Sequence, residues 1–375
     1  MPVTTAELEQ GVIPALPKNA DVGIGCVGAG FIMADCHLVA YRQHGLNPVA
    51  ITSRTRATAE SVAERHGIGT VGDSVEDVVA HPDVQVLDVA VPPDCQRDII
   101  RRALDSKGQL KAILAQKPLG TSFDQALQIV KMCEDAGVTL AVNQNMRWDH
   151  SVRACRMLLE SGDLGEPVLA TIDMRAIPHW MPWQQRQGWV TLRIMSIHHL
   201  DTFRYWFGNP DRIFASVRPD PRTSKLFDHS DGIALSILDY DSGLRASSWD
   251  DVWAGPAREG AASDIGIRWR VEGTEGMAAG TIGWPGYPAR VPSTVKFTRT
   301  MDGERWHEPK WQEAWFPDAF IGPMADLLIS LETGGAPMCS GRDNLWTMAL
   351  VDAAYRSVQE HRAVSPAEIV ESAQT

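Results

Sequence analysis

Two short segments near the start of the chain contain residue types that suit dinucleotide chemistry. The glycine turn Gly28-Ala29-Gly30 follows an apolar run and precedes a predicted helix. Gly28 permits a tight turn, and Gly30 lets the backbone approach a pyrophosphate at the N-terminal end of that helix. The segment AQKPLG at 115–120 places Lys117 at the end of a predicted strand, where the nicotinamide end of a dinucleotide should lie. Together these segments predict a nicotinamide-dependent oxidoreductase.

The residues after the second predicted strand indicate which dinucleotide is preferred. An acidic side chain there would bind the adenosine ribose hydroxyls and repel a 2′-phosphate. This chain has Ser53 and Arg54 instead, and a hydroxyl and a guanidinium suit a phosphate. NADP is therefore predicted to be favoured. The alternative is that Arg54 is a solvated loop residue and that NAD binds without an acidic partner.

The elements that must position these segments alternate between strand and helix through the first half of the chain. This alternation predicts an α/β fold with a doubly wound parallel Rossmann sheet, whose ligands bind at the carboxyl ends of the strands. The glycine turn lies at the end of a predicted strand and before a predicted helix, although Met33 replaces the third glycine of G-x-G-x-x-G. The predicted strands are Val22–Val27, Asn47–Thr52, Val84–Val91, Lys111–Ala115 and Val138–Val142. The predicted helices are Phe31–Gln43, Ala57–His66, Ser74–Ala80, Gln96–Ser106 and Ser122–Gly137.

The tryptophans mark a change of domain. All 13 lie from Trp148 onward, which predicts a dinucleotide-binding domain at 1–147 and a second domain at 148–375. Their rings either fill the core of a large sheet or form stacking platforms for sugar faces. Apolar residues at helical spacing predict a helix from Asp343 to Glu360, within a helical region at 340–375 that packs back on the fold. The predicted strands of the second half are Val168–Met174, Arg212–Val217, Gly232–Tyr240, Leu244–Val252, Ile267–Gly273, Gly276–Thr281 and Thr294–Thr298.

Composition excludes several functional classes. A net charge of -12 without a basic run is unsuited to nucleic acid or anionic membranes. No apolar stretch approaches the roughly 20 residues of a membrane helix, and the N-terminal residues lack the pattern of a signal peptide. The six cysteines are scattered without a CxxC pair. They predict reduced thiols in a cytoplasmic protein that has no zinc site.

Six segments in order resemble the Gfo/Idh/MocA family, which includes glucose–fructose oxidoreductase and inositol dehydrogenase. The resemblance implies a Rossmann domain followed by an α/β domain with a large open, mostly antiparallel sheet. It also implies a homodimer or homotetramer, in which the outer face of that sheet often forms the dimer interface. The segments are GAGFIMADCH at 28–37, VPPDCQ at 91–96, AQKPLG at 115–120, NQNMRW at 143–148, IHHLDTFRYWFG at 197–208 and SGRDNLWTMALVDAAYRS at 340–357.

The resemblance assigns two catalytic residues. Lys117 matches the lysine that hydrogen-bonds the reacting hydroxyl beside the nicotinamide, where a cation stabilises developing alkoxide charge. His198 matches the general base that takes the hydroxyl proton. Two departures are clear: Gln116 replaces the usual glutamate before the lysine, and Ile194 replaces the aspartate four residues before the histidine. Asp201 is retained, and the tight turn predicts a cis bond before Pro118.

The resemblance also implies residues that line the ligands. Asn145, Arg147 and Trp148 follow the last Rossmann strand, where family members line the substrate cleft. The loop at 178–186 is rich in aromatic rings, amides and cations, which suits a polyhydroxylated ring or, alternatively, an oligomer interface. The predicted cofactor-binding residues are Gly28, Gly30, Phe31, Ile32, Ser53, Arg54, Pro92, Gln116, Lys117 and Asn145. The predicted substrate-binding residues are Lys117, Arg147, Trp148, His179, Trp180, Gln185, His198 and His199.

These features predict an NADP- or NAD-dependent dehydrogenase of a sugar, a sugar derivative or a cyclitol. The loss of the aspartate at Ile194 leaves two alternatives open. The first is a redox-neutral enzyme that retains its cofactor and changes a sugar by transient oxidation. The second is a nucleotide-binding regulatory subunit without catalytic activity.

Overall fold

The computed structural model describes residues 2–106, 108–176, 182–225, 227–252, 265–283 and 289–373. The chain divides into two compact units, each built from separate stretches of sequence. The parallel-sheet unit comprises Pro14–Asn145 and Phe316–Met348. The antiparallel-sheet unit comprises Met1–Ile13, Met146–Trp315 and Ala349–Thr375. Among the described residues, no helix is long and apolar enough to cross a membrane.

The parallel-sheet unit confirms the predicted Rossmann architecture. Its described strands form one parallel sheet in the order β3-β2-β1-β4-β5-β6. Every residue of the central strand β1 is buried, as expected where helices cover both faces of a sheet. The strands are β1 (Gly23–Val27), β2 (Asn47–Thr52), β3 (Thr70–Val71), β4 (Val84–Val89), β5 (Ala112–Gln116) and β6 (Thr139–Asn143).

The antiparallel-sheet unit contains the predicted large, mostly antiparallel sheet. Its described strands follow the order β13-β12-β11-β7-β10-β9-β8, and only the pair β7 and β10 is parallel. Alternating burial along the strands gives the sheet one buried and one exposed face. The strands are β7 (Pro167–Arg175), β8 (Arg212–Arg218), β9 (Ile233–Asp239), β10 (Arg245–Asp251), β11 (Gly266–Gly273), β12 (Gly276–Ile282) and β13 (Thr294–Arg299).

The helices largely follow the predicted pattern, and the final long helix is confirmed. Helices α1, α7, α8 and α10 had no counterpart in the sequence prediction, whereas α12 lies within the predicted helical region at 340–375. The α-helices are α1 (Thr5–Gly11), α2 (Leu38–Gln43), α3 (Arg56–His66), α4 (Val75–Val79), α5 (Pro93–Ser106), α6 (Phe123–Asp135), α7 (His150–Glu160), α8 (Pro182–Gln187), α9 (Ile197–Phe207), α10 (Ile321–Thr333), α11 (Gly341–Glu360) and α12 (Pro366–Ser372).

The helix after the glycine turn differs from its prediction. A continuous α-helix from Phe31 to Gln43 is wrong, because a π-helical segment, Ile32–His37, precedes α2. This segment places His37 in the core, where its Nδ1 lies 2.6 Å from the carboxylate of Asp88. The amide nitrogen of Asn143 lies 2.8 Å from Nε2 of the same ring. The segment therefore joins the glycine turn to β4 and β6 through a buried polar cluster.

The core of the parallel-sheet unit is completed by residues from late in the chain. Phe320, Ile321 and Met324 are buried in the same cluster as Leu114 of β5 and Ala141 of β6. The backbone of the next segment also contacts the edge strand β6, since the Val142 N–H donates to the Cys339 carbonyl over 2.8 Å. Residues 316–331 thus contribute to the core of this unit.

Candidate active site

The glycine turn at the carboxyl end of β1 has the geometry that its sequence predicts. Gly28 has φ of 103°, and a Cβ at this position would lie 2.3 Å from the Ala90 carbonyl oxygen. Its N–H donates to the Thr52 carbonyl over 2.9 Å. A Cβ on Gly30 would meet no described atom within 4 Å. The backbone is therefore tightly constrained at Gly28 and open to a ligand at Gly30.

The residues around the turn occupy the expected edge of the sheet. Phe31 stacks on Phe316 with ring centroids 6.4 Å apart, and Ile32 begins the π-helical segment. Ser53 and Arg54 directly follow β2, and Arg54 is exposed. Within the described ranges Arg54 makes no ion pair, whereas the nearby Arg56 pairs with Glu60 and Asp73. Arg54 is thus available to a ligand at the end of β2.

Lys117 lies at the carboxyl end of β5, one residue beyond the strand. The Lys117–Pro118 bond is cis, as predicted. The Lys117 N–H donates to the side-chain oxygen of Gln116 over 2.8 Å. Burial lowers the pKa of the Lys117 amine from its ordinary value to about 7, because desolvation disfavours the charged form. Near neutral pH this side chain can therefore exchange between ammonium and amine.

Two further predicted cofactor residues flank this edge of the sheet. Pro92 is half-buried and immediately precedes α5. Asn145 is buried two residues beyond the end of β6, in a 3₁₀-helical turn. Because β1, β2, β5 and β6 run parallel, the predicted cofactor residues that follow these strands share one edge of the sheet. Their assignment to the cofactor stays a prediction.

The parallel-sheet unit contains two features that fit a dinucleotide. The first is the open space beside Gly30. The second is Gln144, which is 1% exposed and whose amide oxygen and nitrogen have no hydrogen-bond partner among the described residues. A ligand that offers both a donor and an acceptor, such as a carboxamide, would satisfy this side chain. Gln144 lies in the motif NQNMRW, but nothing in the sequence predicted a role for it.

His198 lies in the first turn of α9, directly after the π-helical segment Leu192–Ser196. Its ring is 3% exposed and contacts Trp315 edge to face, with the ring centroids 5.1 Å apart. The hydroxyl of Thr202 donates to the His198 carbonyl over 2.8 Å, which holds this turn in place. His198 is therefore rigidly placed within the antiparallel-sheet unit.

His199 points in a different direction from its neighbour, toward the buried face of the sheet. Its Nδ1 lies 2.8 Å from the carboxylate of Asp250 on β10, and both side chains are fully buried. The hydroxyl of Ser196 donates to the other oxygen of the same carboxylate. The contacts of His199 are those of a residue that attaches α9 to the sheet, and its substrate role stays a prediction.

Arg147 and Trp148 are both buried in the antiparallel-sheet unit. The guanidinium of Arg147 donates from Nε and Nη2 to the two carboxylate oxygens of Asp201, each over 2.7 Å. The Tyr205 ring lies 5.8 Å from this guanidinium. Arg147 thus fixes the middle of α9, one turn after His198, and its substrate contact stays a prediction.

The position where the family has an aspartate is apolar and enclosed. Ile194 is 7% exposed in the π-helical segment. The preceding Arg193 lies between the rings of Trp189 and Tyr355, 5.0 and 5.1 Å from their centroids, and pairs with Asp352. A cavity of about 600 Å³ adjoins this arginine, and it is not lined by any predicted site residue in the described part of the chain. Arg193 therefore belongs to a separate polar cluster.

The remaining predicted substrate residues lie in or beside the loop at 178–186. Gln185 is exposed on the short helix α8. His179 and Trp180 lie outside the described residues.

The residue that sequence reasoning missed most clearly is Gln96. It is fully buried on α5, and its side-chain amide contacts the backbone on both sides of Lys117. The motif VPPDCQ contained it, but its partners lie 20 and 24 residues further along the chain. A spacing rule therefore gave no signal for this contact.

Comparisons with known proteins agree with this architecture. Residues 22–144 match the oxidoreductase family model with an NAD-binding Rossmann fold, and residues 152–279 match the GFO/IDH/MocA C-terminal domain. The D-apiose dehydrogenase of Paraburkholderia graminis is 25% identical over 342 residues, which cover 90% of this chain and 88% of that protein. The inositol 2-dehydrogenase of Rhizobium meliloti is 26% identical over 350 residues, which cover 92% and 99%.

A solved structure gives the same result for the fold. The crystal structure of an oxidoreductase from Agrobacterium radiobacter, in complex with NAD+, L-tartaric acid and magnesium, superposes with a TM-score of 0.76. The two sequences are 23% identical, and the match covers 93% of this chain and 99% of that chain. With both family models matching in order, the chain belongs to the Gfo/Idh/MocA family of oxidoreductases and has its NAD-binding Rossmann domain.

Proposed function

We propose that this protein transfers hydride between a secondary hydroxyl of a sugar, a sugar derivative or a cyclitol and the nicotinamide of NADP or NAD. The observation that carries the proposal is Lys117, whose pKa is lowered to about 7 at the end of β5. The glycine turn after β1 lies at the same edge of the parallel sheet. The similarity to dehydrogenases of D-apiose and inositol supports a polyhydroxylated substrate.

In the proposed reaction, the hydroxyl proton passes to Nε2 or Nδ1 of His198 while the carbon loses hydride and becomes a carbonyl carbon. When bound, NADP or NAD supplies the hydride acceptor. The Lys117 ammonium donates a hydrogen bond to the oxygen as its negative charge develops, which lowers the barrier most where water is excluded. The open backbone at Gly30 and the N–H groups that follow it would hold the pyrophosphate of the bound cofactor.

The proposal includes a preference for NADP. Arg54 is exposed directly after β2, and no described carboxylate pairs with it. Its guanidinium can therefore meet a 2′-phosphate without first breaking an ion pair, and Ser53 adds a hydroxyl donor.

The proposed assembly is a homodimer or homotetramer formed through the exposed face of the antiparallel sheet. Four large apolar side chains are grouped on this face and are 39–52% exposed: Phe214, Leu235, Ile237 and Trp249. Strand register places Phe214 opposite Ile237 and Leu235 opposite Trp249. A grouped apolar surface of this kind is typical of a subunit contact.

A cytoplasmic location also forms part of the proposal. All six cysteines are free thiols, and five of them are buried. This pattern suits a reducing compartment.

The test of the proposed reaction is a near-ultraviolet absorbance screen with NADP or NAD and a panel of aldoses, anhydrosugars, sugar acids and inositols. Formation of reduced nicotinamide with one subgroup would support the proposal and identify the substrate class. A sugar that changes without net cofactor reduction would contradict it and favour the redox-neutral alternative. Cofactor binding without any change in the panel's sugars would favour the regulatory subunit.

A further inference from the structure

The buried side chain of Gln96 joins both ends of the turn that carries Lys117. Its amide nitrogen donates to the Gln116 carbonyl over 2.6 Å. Its amide oxygen accepts the N–H of Gly120 over 2.9 Å. We call residues 116–120 the Lys117 turn. One side chain from α5 therefore holds the residue before Lys117 and the residue three positions after it.

Side chains provide the hydrogen bonds that hold this turn. Lys117 donates its N–H to the Gln116 side chain, and Pro118 has no N–H. Gly120 has φ of 67°, and a Cβ there would lie 2.8 Å from the side-chain oxygen of Gln125. Because Lys117 and the residues after it lie beyond the end of β5, the position of Lys117 depends on the side-chain contacts of Gln96 and Gln116.

An amide suits this position for a chemical reason. The part-buried Gln116 carbonyl requires a donor, whereas the buried Gly120 N–H requires an acceptor. A neutral amide supplies both without introducing a charge. An ionised glutamate would supply only acceptors, and a methionine would leave both backbone groups without their buried partner.

We propose that Gln96 is a positioning residue that fixes the Lys117 amine for the reaction through the backbone of the Lys117 turn. This inference rests on the proposed function of Lys117. Gln96 acts through the Gln116 and Gly120 backbone groups and has no direct role in the chemistry. Small displacements of a catalytic group lower the rate far more than they weaken binding of the cofactor.

The test compares Gln96→Met and Gln96→Glu with a matched control, Gln125→Met. Gln125 accepts the neighbouring Thr121 N–H over 2.8 Å and does not contact the Gln116 carbonyl. We expect Gln96→Met to lower kcat on the order of 10- to 100-fold while the Kd of the cofactor stays nearly unchanged. The control should keep a kcat close to the wild-type value.

Gln96→Glu adds a readout that depends on pH. When protonated, the glutamic acid can donate to Gln116 and accept from Gly120, so the activity relative to wild type at the same pH should be highest at low pH and fall as the acid ionises. Burial raises the pKa of this glutamate in the folded state above its ordinary value of about 4.3. The Tm deficit relative to wild type should therefore widen as pH rises above about 4.3, whereas the deficit of Gln96→Met should not.

A spectroscopic measurement reports on Lys117 without any turnover. The ¹³Cε resonance of Lys117, assigned by its absence in Lys117→Arg, should titrate near pH 7 in the wild type. In Gln96→Met the midpoint should rise, because a loosened turn admits water to the amine. It should not move in Gln125→Met.

Two results would overturn the inference. One is wild-type kcat and an unchanged Lys117 titration in both Gln96 variants. The other is an equal loss in Gln125→Met, which would indicate general loosening of the loop. The proposed function is tested separately, since a wild-type kcat in Lys117→Ala would contradict it.

Discussion

Arg147 and Asp201 form a fully buried ion pair in which two guanidinium nitrogens each donate over 2.7 Å to a separate carboxylate oxygen. The pair connects the 3₁₀-helical turn that contains Arg147 to the middle of α9, which contains Asp201. Each partner is 5% exposed or less, so neither charge has water as an alternative partner.

Asp201→Asn should therefore destabilise the protein strongly. Removal of one partner leaves a buried guanidinium without its counter-charge, which costs about 3–5 kcal/mol. The free energy of unfolding in urea measures this loss. The double variant Arg147→Met with Asp201→Leu should recover only the part of this loss that belongs to Arg147, because the buried Arg204, which lies 3.5 Å from the same carboxylate, also loses that contact. An Asp201→Asn protein as stable as the wild type would contradict this interpretation.

The two neighbouring histidines should respond differently to substitution. His198→Ala should lower kcat by about 10²- to 10⁴-fold, since it removes the proposed proton acceptor. His199→Ala should instead lower the free energy of unfolding, because Asp250 then keeps only Ser196 as a described side-chain partner. Steady-state kinetics and urea unfolding on both variants separate the two effects. Near-wild-type turnover in His198→Ala would remove that residue from the mechanism.

The activity of Lys117 should depend on pH in a defined direction. Its pKa of about 7 means that the ammonium is present below pH 7 and is lost above it. The alkoxide stabilisation that depends on the lysine should therefore decrease as pH rises through about 7. Lys117→Arg keeps its charge throughout and should not show that decrease. The pH profiles of kcat for both proteins test this, and a wild-type profile with the same shape as that of Lys117→Arg would contradict it.

Cofactor preference should depend on Arg54. Arg54→Ala should lower kcat/KM for NADP about 10- to 100-fold, because a charge-assisted hydrogen bond to the phosphate is lost. The value for NAD should change little. Arg101→Ala is the control, since Arg101 pairs with Asp98 and Asp105 on the surface of α5. If the ratio of kcat/KM for NADP to kcat/KM for NAD were unchanged in Arg54→Ala, Arg54 would not contact the 2′-phosphate.

The oligomeric state should change when the exposed sheet face becomes charged. Leu235→Glu with Ile237→Glu should shift the protein to a smaller species, because carboxylates would be desolvated in the contact. Light scattering coupled to size exclusion gives the mass directly. Met301→Glu is the matched control, since Met301 is an apolar side chain that is 71% exposed elsewhere in the same unit. An unchanged mass in the double variant would place the subunit contact on another surface.

The sequence predicted the sheets well because their signals are local. Alternating burial along β9 and the continuous apolar run of β1 depend on neighbouring residues only. The glycine turn was also predictable from the sequence. A glycine is required at position 28 because φ is positive there and the Ala90 carbonyl leaves no room for a Cβ.

The contacts of the candidate site were harder to predict because their partners are distant in sequence. Arg147 and Asp201 are 54 residues apart. The pairing of His199 with Asp250 could be predicted only if the position of α9 along β10 were already known. The contacts of Gln96 are with backbone atoms, which any residue type can supply. The π-helical segment at Ile32–His37 depends on a buried cluster that closes only in the folded protein.

The discontinuity of the parallel-sheet unit has a consequence for synthesis of the chain. Its sheet is complete at Asn143, but Phe320, Ile321 and Met324 complete its core, and these residues are made much later. At about 5–20 residues per second, the ribosome needs on the order of ten seconds to make the intervening 146–315 segment. During that interval the nascent sheet exposes the apolar surface that α10 will cover. During this interval, chaperones that bind apolar segments can bind the surface that α10 will later cover, although all strands of the sheet have already been made.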